Sequence, residues 1–359
     1  MGNNRNGWIA MLETASDFPR GEEGEVGIVS QRPVNWASRF APYRAPSNKR
    51  ALVELAITLV PFLGLWWGAV LLLSISPWLL PLAVIPAAFF LIRVFIIQHD
   101  CGHGAMFASH RLNTWVGRVL GVLTLTPYAY WRHSHAVHHA SSGHLDRRGI
   151  GDVPTMTVAE FKQSSRLRRL GYRFVRHPLI LFGVGPAFVF LIQQRWPYLY
   201  ERKGLWPWIS VMGTNLAVLL LAFGLSQWVG WLAFLAVEVA IISLTASIGV
   251  WLFYVQHQFE DTYWEGKDVW KHQPAALEGS SFYDLPQPLA WLSGNIGLHH
   301  VHHVSSGIPF YRLPDVLKAF PELRQMGRLG LSDSFKCARL KLWDEETKRL
   351  VPFAQAKQA

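Results

Sequence analysis

The sequence is short of cysteine and of charge, and each shortage narrows what the chain can be. Two cysteines, Cys101 and Cys337, among 359 residues exclude a disulfide-stapled scaffold and any all-thiolate zinc or iron–sulfur site. They fit a reducing compartment. Only 16% of residues are charged while 50% are hydrophobic, and there are 17 Trp. That balance is unusual for a soluble enzyme and ordinary for a polytopic membrane protein. Residues 1–48 are polar and mix Gly, Arg and Glu, so no apolar run follows the first methionine where a signal peptide would need one. The net charge of +10 does not mark a nucleic-acid binder. The basic residues flank apolar stretches, so a membrane surface or an acidic protein partner is expected, with no nucleic acid.

Where charge is missing altogether, spans are expected. Leu55 to Ile92 is 38 residues without one, too long for a single crossing at about 1.5 Å per residue and enough for two. Ser74-Ile75-Ser76-Pro77 supplies the break, giving helices at about 52–73 and 78–98, with Arg93 snorkelling to the interface. A second poor stretch, Gly204 to Phe259, carries only Glu238 and breaks at 226–230, giving helices at about 207–226 and 231–255. Neither hairpin tip holds Lys or Arg, whereas residues 1–48, 99–206 and the tail are rich in them. By the positive-inside rule those three regions and both termini are cytoplasmic. Val119 to Trp131 is too short to cross. Leu179 to Gln194, with Pro186 inside it, is read as an interfacial or re-entrant helix. Trp36 to Tyr43 is expected on the membrane surface, and 341–350 as a charged cytoplasmic helix.

What the chain has in excess is clustered histidine. Ten of 15 histidines fall in three groups, 99–103, 133–139 and 299–303, and histidine is the commonest nitrogen ligand of redox metals. His99 and His103 are spaced i, i+4. His135, His138 and His139 are spaced i, i+3, i+4, and His299, His302 and His303 repeat that spacing. Each set therefore shares a helical face. Eight imidazoles suit two metals, and an all-nitrogen set suits iron, zinc, copper or nickel. The absence of H-E-x-x-H argues against a zinc protease. A lone histidine is more often hydrogen-bonded than ligating, which is the reading for His110, His144, His177 and His272. His133 and His300 are neighbours of undecided role, and Asp100 and Cys101 point away from the His99–His103 face. A shared site requires an even number of crossings between the second group and the third.

Three boxes, H-x3-H, H-x2-H-H and H-x2-H-H, separated by spans, resemble the membrane fatty acid desaturases. The words H-D-C-G-H-G at 99–104, W-R-H-S-H-A-V-H-H-A at 131–140, D-R-R-G-I-G-D-V at 146–153 and I-P-F-Y-R-L-P at 308–314 are similar to the bacterial and plastid-type omega-6 (delta-12) acyl desaturases, from about residue 35 onward. The resemblance implies two non-haem irons and a ninth histidine ligand near the end of the last span, matched here by His257. In the animal acyl-CoA branch an Asn four residues earlier reaches one iron through water; here that position is Phe253.

The resulting expectation is an all-α membrane protein. It has a polar cytoplasmic segment 1–48, a membrane domain 49–310 with four spans and interfacial helices, and a cytoplasmic C-terminal cap and tail at 311–359, with the diiron centre held in a cytoplasmic histidine-rich cap. The metal ligands are His99, His103, His135, His138, His139, His257, His299, His302 and His303. The expected reaction is O2-dependent insertion of a double bond at the delta-12 or omega-6 position of a lipid-, CoA- or carrier-linked acyl chain, in a bacterial inner membrane. A separate electron donor is implied, ferredoxin before cytochrome b5, because no H-P-G-G word is present. Hydroxylase, epoxygenase, conjugase and carotenoid ketolase share such boxes. Haem electron transfer and metal transport are the readings from other classes. Glu238 is read as a structural hydrogen bond. Asp146, Asp152, Glu260, Asp261 and Asp284 are candidates to orient ligands, and Arg132, Arg147 and Arg148 to hold a headgroup or an acidic donor.

Overall fold

The computed structural model describes residues 34–198 and 204–355; most of the polar segment expected at 1–48 lies outside them. Four helices are long and apolar enough to cross a membrane. Helix α1 (Asn48–Ile75) and α2 (Leu80–His103) form one hairpin, α7 (Trp206–Val229) and α8 (Trp231–His257) the other. Ser47 caps the start of α1 by accepting the Arg50 N–H, and Ser76-Pro77 ends it. A single residue, Gly230, joins α7 to α8 at φ 82°, ψ 148°, a conformation open to glycine and closed to most L side chains.

The spans are longer than the charge-free windows suggested, and the excess matters. Twenty-seven residues, the length of α8, rise about 40 Å, against a hydrocarbon core of about 30 Å. The surplus turns of α2 and α8 carry His99, His103 and His257. Over half of the most apolar part of α2 is buried, against 11% for α7, so α2 is the central helix. It packs on α1, α8 and α3 (His110–Leu123). After α3 come α4 (Tyr128–Ser141), α5 (Arg166–Val175) and α6 (Gly185–Leu191). The segment Ile180–Arg195, which contains α6, is bent 57° from α5.

Three expectations fail here. The tail is not a helix: β4 (Leu342–Asp344) and β5 (Arg349–Val351) form an antiparallel hairpin turning at Lys348, and β4 pairs in parallel with β1 (Met156–Thr157). Leu342 and Trp343 are both buried, so β4 is covered on both faces and shows no alternation, and the charge count of that stretch hid it. A second parallel pair joins β2 (Phe282–Asp284) to β3 (Arg328–Gly330). Trp36 and Phe40 do not lie on a membrane surface; they are buried with their rings 5.7 and 5.6 Å from that of Phe320. Nor does Arg93 snorkel. It is 1% exposed and donates to Glu54, to Thr58 Oγ1 and to the Trp291 carbonyl, with its guanidinium 4.0 Å from the Trp291 ring centroid. Burial is tolerated because every face of the cation finds a partner.

Arg93→Met should therefore leave the Glu54 carboxylate buried with only Arg50 near it. The expected cost is about 3–5 kcal/mol in denaturation measured in detergent. The double variant Glu54→Gln/Arg93→Met should recover part of it; a single-variant loss below about 1 kcal/mol would contradict this account.

Candidate metal centre

The last turn of α2, the helix α4, the end of α8 and a six-residue helix α9 (His299–Val304) meet at one place. Nine imidazoles converge there in two groups: His99, His103, His135, His139 and His302 in one, and His138, His257, His299 and His303 in the other. Within each group the nitrogens lie within 4.8 Å of one another. The two i, i+3, i+4 triads do not serve one centre apiece. Helix α4 sends His135 and His139 to the five-histidine group and His138 to the other. Helix α9 sends His302 to the first and His299 and His303 to the second. The His139 and His303 rings stack between the groups at 4.1 Å.

Nitrogen chemistry tests whether a cation fits. His138 Nδ1 faces Asp152 Oδ1 at 2.6 Å and His257 Nδ1 faces the Gly279 carbonyl at 3.1 Å. Both partners are acceptors, so each Nδ1 carries the proton and each Nε2 is a bare lone pair. Yet those two Nε2 atoms are 3.1 Å apart, and His299 Nε2 is 2.9 Å from that of His257. Facing lone pairs repel unless a cation lies among them. In the five-histidine group His99 Nδ1 donates to Asp100 Oδ1 at 3.1 Å, and its Nε2 is 3.3 Å from His103 Nε2. The remaining Nε2 atoms follow in a chain, His135 to His103 at 3.0 Å and His139 to His135 and His302 at 3.1 Å each. The donor set, nine nitrogens and no thiolate, fits iron among other borderline metals.

Burial, followed by mutual repulsion, holds His135, His139, His299, His302 and His303 well below the ordinary histidine range. They are neutral at pH 7, the form that ligates.

Carboxylates and carbonyls fix the ring tautomers. Asp152 is brought to His138 by Gly151, whose φ is +75° and whose place a Cβ would contest with the Ser134 carbonyl at 2.9 Å. Asp100 was missed as an orienting group because helical spacing turns it off the His99–His103 face. Its Oδ2 also accepts the Phe310 N–H at 2.6 Å. Trp131, one turn before His135, stacks on that ring at 4.7 Å; a Trp at i−4 from a box histidine was the available signal. Phe253 packs its ring 5.1 Å from His138 and 5.2 Å from His257.

Other candidates lie elsewhere. His300 is buried, with Nε2 on the Leu323 carbonyl at 3.1 Å, and burial pushes it down to about 4. His144 accepts the Asp146 N–H. Glu238 accepts from Trp66 Nε1 at 3.1 Å, a structural bond. Glu260 and Asp261 pair with Arg349, and Asp284 with Arg328. Arg148 is engaged by Glu160 at 2.6 Å and by two carbonyls, so it is not free for a headgroup.

An apolar cavity of about 310 Å³ reaches both groups. Leu91, Ile92 and Phe95 of α2, Ile242, Ala246 and Gly249 of α8, and Val189 and Phe190 line its walls. His99, His135 and His299 lie at the histidine end. Its volume is at the lower edge of small-molecule sites, and its lining draws on α2, α4, α6, α8 and α9.

Comparison with known proteins agrees with this geometry. Residues 76–333 match the fatty acid desaturase family. The chain is 43% identical over 332 residues to a fatty acid desaturase of Bacillus subtilis, covering 92% of this chain and 93% of that one. It is 26% identical over 289 residues to an sn-1 oleoyl-lipid 12-desaturase of Anabaena variabilis, covering 74% and 75%. It is 29% identical over 236 residues to an sn-1 acyl-lipid omega-3 desaturase (ferredoxin) of Synechocystis sp., covering 61% of each.

Asp152→Asn removes the charged acceptor that fixes His138. The purified variant should bind metal about 10–100-fold more weakly in titrations of the apo-protein. His302→Ala should lower the metal content of the protein, read by elemental analysis, without removing it from the membrane.

Proposed function

Because the chain belongs to the fatty acid desaturase family, a family of oxidoreductases, we propose that it inserts a cis double bond into a long acyl chain, at the delta-12 or omega-6 position of a monounsaturated substrate. The observation that carries this reading is the apolar cavity, whose lining includes His99 and His135 of one histidine group and His299 of the other. In this reading the five-histidine and four-histidine groups each hold one iron, with all nine histidines as ligands. Bound iron supplies the activation of O2 needed to take hydrogen from an unactivated methylene pair. Two hydrogens leave the substrate, two electrons and two protons come from outside, and O2 leaves as two waters.

The protein's own part is positional. Helices α2, α4 and α8 keep water from the acyl chain and restrict it to one path, so that depth of insertion selects the carbons presented. The chain's bilayer location gives lateral access to acyl groups, and burial holds His135, His139, His299, His302 and His303 below the ordinary histidine range, toward the neutral form that ligates. The delta-12 assignment draws on the box-adjacent words and on the oleoyl-lipid 12-desaturase among the relatives. A ferredoxin-like donor is favoured by the Synechocystis relative, an omega-3 desaturase named for ferredoxin. The excess of Lys and Arg outside the hairpin tips favours the cytoplasmic face of a bacterial inner membrane for the histidines and both termini.

Expression in a host that makes monounsaturated but no diunsaturated fatty acids, followed by mass spectrometry of total lipids, tests this. A new diunsaturated chain with its second bond at carbon 12 is expected, and none with His302→Ala. A hydroxylated or epoxidised chain, or no new product with iron bound, would overturn the reading. Gly249→Leu, which fills the cavity wall, should lower turnover of long chains about tenfold or more while metal content stays unchanged.

A further inference from the structure

Helix α5 has no role in the metal centre or the cavity, and its surface is unusual. From residue 161 to 200 the chain has seven Lys or Arg and not one Asp or Glu. Within α5 the helical period places Leu167, Leu170 and Phe174 on one face, with Arg166 and Arg173 along one border and Arg168 along the other. That apolar face is turned away from the protein: Leu167 is 80% exposed, Leu170 58% and Phe174 63%. The opposite face is fastened down. Tyr172 is buried with its hydroxyl on the Lys341 carbonyl, and Arg176, just past the helix end, donates to the Pro154 and Leu340 carbonyls and to Gln258 Oε1. The orientation of the exposed face is therefore fixed by the body of the protein. Glu160, the acid next to this segment, is already taken by Arg148 at 2.6 Å.

We propose that α5 is an interfacial helix seated on anionic phospholipid, with Leu167, Leu170 and Phe174 entering the acyl boundary and Arg166 and Arg168 holding lipid phosphates. Three features favour a lipid surface over an acidic protein. The apolar residues occupy the centre of the face and the cations its borders, the arrangement of helices that lie in the membrane plane. The chain continues from α5 into the apolar Ile180–Arg195 segment, bent 57° away, which carries Val189 and Phe190 to the cavity. The histidines of α4 and α9 share one centre, so with α7 and α8 both crossing, residues 166–195 cannot cross and must enter and leave on one side.

A spin label at Leu170→Cys in the full chain tests the seat, since Cys101 and Cys337 are both buried. In vesicles of phosphatidylcholine with phosphatidylglycerol, the label should be relaxed by dissolved oxygen and shielded from a water-soluble nickel chelate. A label as open to the chelate as one at Lys318→Cys would overturn the proposal. So would a label shielded only when an acidic electron-carrier protein is added. The lipid preference is tested separately by native mass spectrometry of protein extracted from the mixed vesicles. Arg166→Gln/Arg168→Gln should lower the ratio of retained phosphatidylglycerol to phosphatidylcholine by about fivefold for each arginine removed. An unchanged ratio, or an equal fall in Lys318→Gln/Arg324→Gln, would overturn the headgroup assignment.

Discussion

Lone pairs that face one another across 3 Å govern this structure. Nitrogen donors so placed are unfavourable in a protein interior unless a cation joins them, so the fold must hold them against their own repulsion. It does so by bringing four separate pieces of chain to one place and tying a ligand of three of them to something rigid. His99 is held through Asp100, which also grips the backbone at Phe310. His138 is held through Asp152, and His257 through the Gly279 carbonyl. The long spans are the scaffold for this. Without the surplus turns of α2 and α8, His99, His103 and His257 would sit in hydrocarbon, where a metal would have no route in or out.

The same constraint explains how α4 and α9 are used. A short helix presents residues i, i+3 and i+4 on one stripe, yet both helices feed both groups. The stripe lies along the line between the groups, and the stacked rings of His139 and His303 mark the seam. Each helix therefore sets the separation of the two groups as well as their ligand count. Losses at His135 and His138 are accordingly coupled through the helix that carries both, although they belong to different groups.

Much of this was legible in the sequence, and the parts that were not share a cause. Spans announce themselves through missing charge, and box histidines through spacing, because both depend on residues close together in the chain. The breaks at Ser76-Pro77 and Gly230 were readable for the same reason. Partition of the triads was not, since it depends on where α8 and α9 lie relative to α4. Arg93 was misread because nothing local shows that Glu54, Thr58 and Trp291 surround it. Trp36 and Phe40 looked like interfacial aromatics until Phe320, far along the chain, covered them. The tail was misread by composition: Asp344, Glu345 and Glu346 suggest a solvated helix, while Leu342, Trp343 and Leu350 are buried in a short hairpin whose strands show no alternation.

That tail bears on when the protein becomes complete. Strand β4 lies beside β1, which follows Asp152 by four residues, and the carbonyls of Leu340 and Lys341 are the anchors of Arg176 and Tyr172. The loop that fixes His138 is thus braced by residues 340–351, which come far later in the chain. During translation the four spans can insert and pair long before residues 340–351 leave the ribosome. The nascent protein then lacks the brace behind Asp152, the partner of His138. The hairpin is therefore part of the support of the metal centre although it holds none of its histidines.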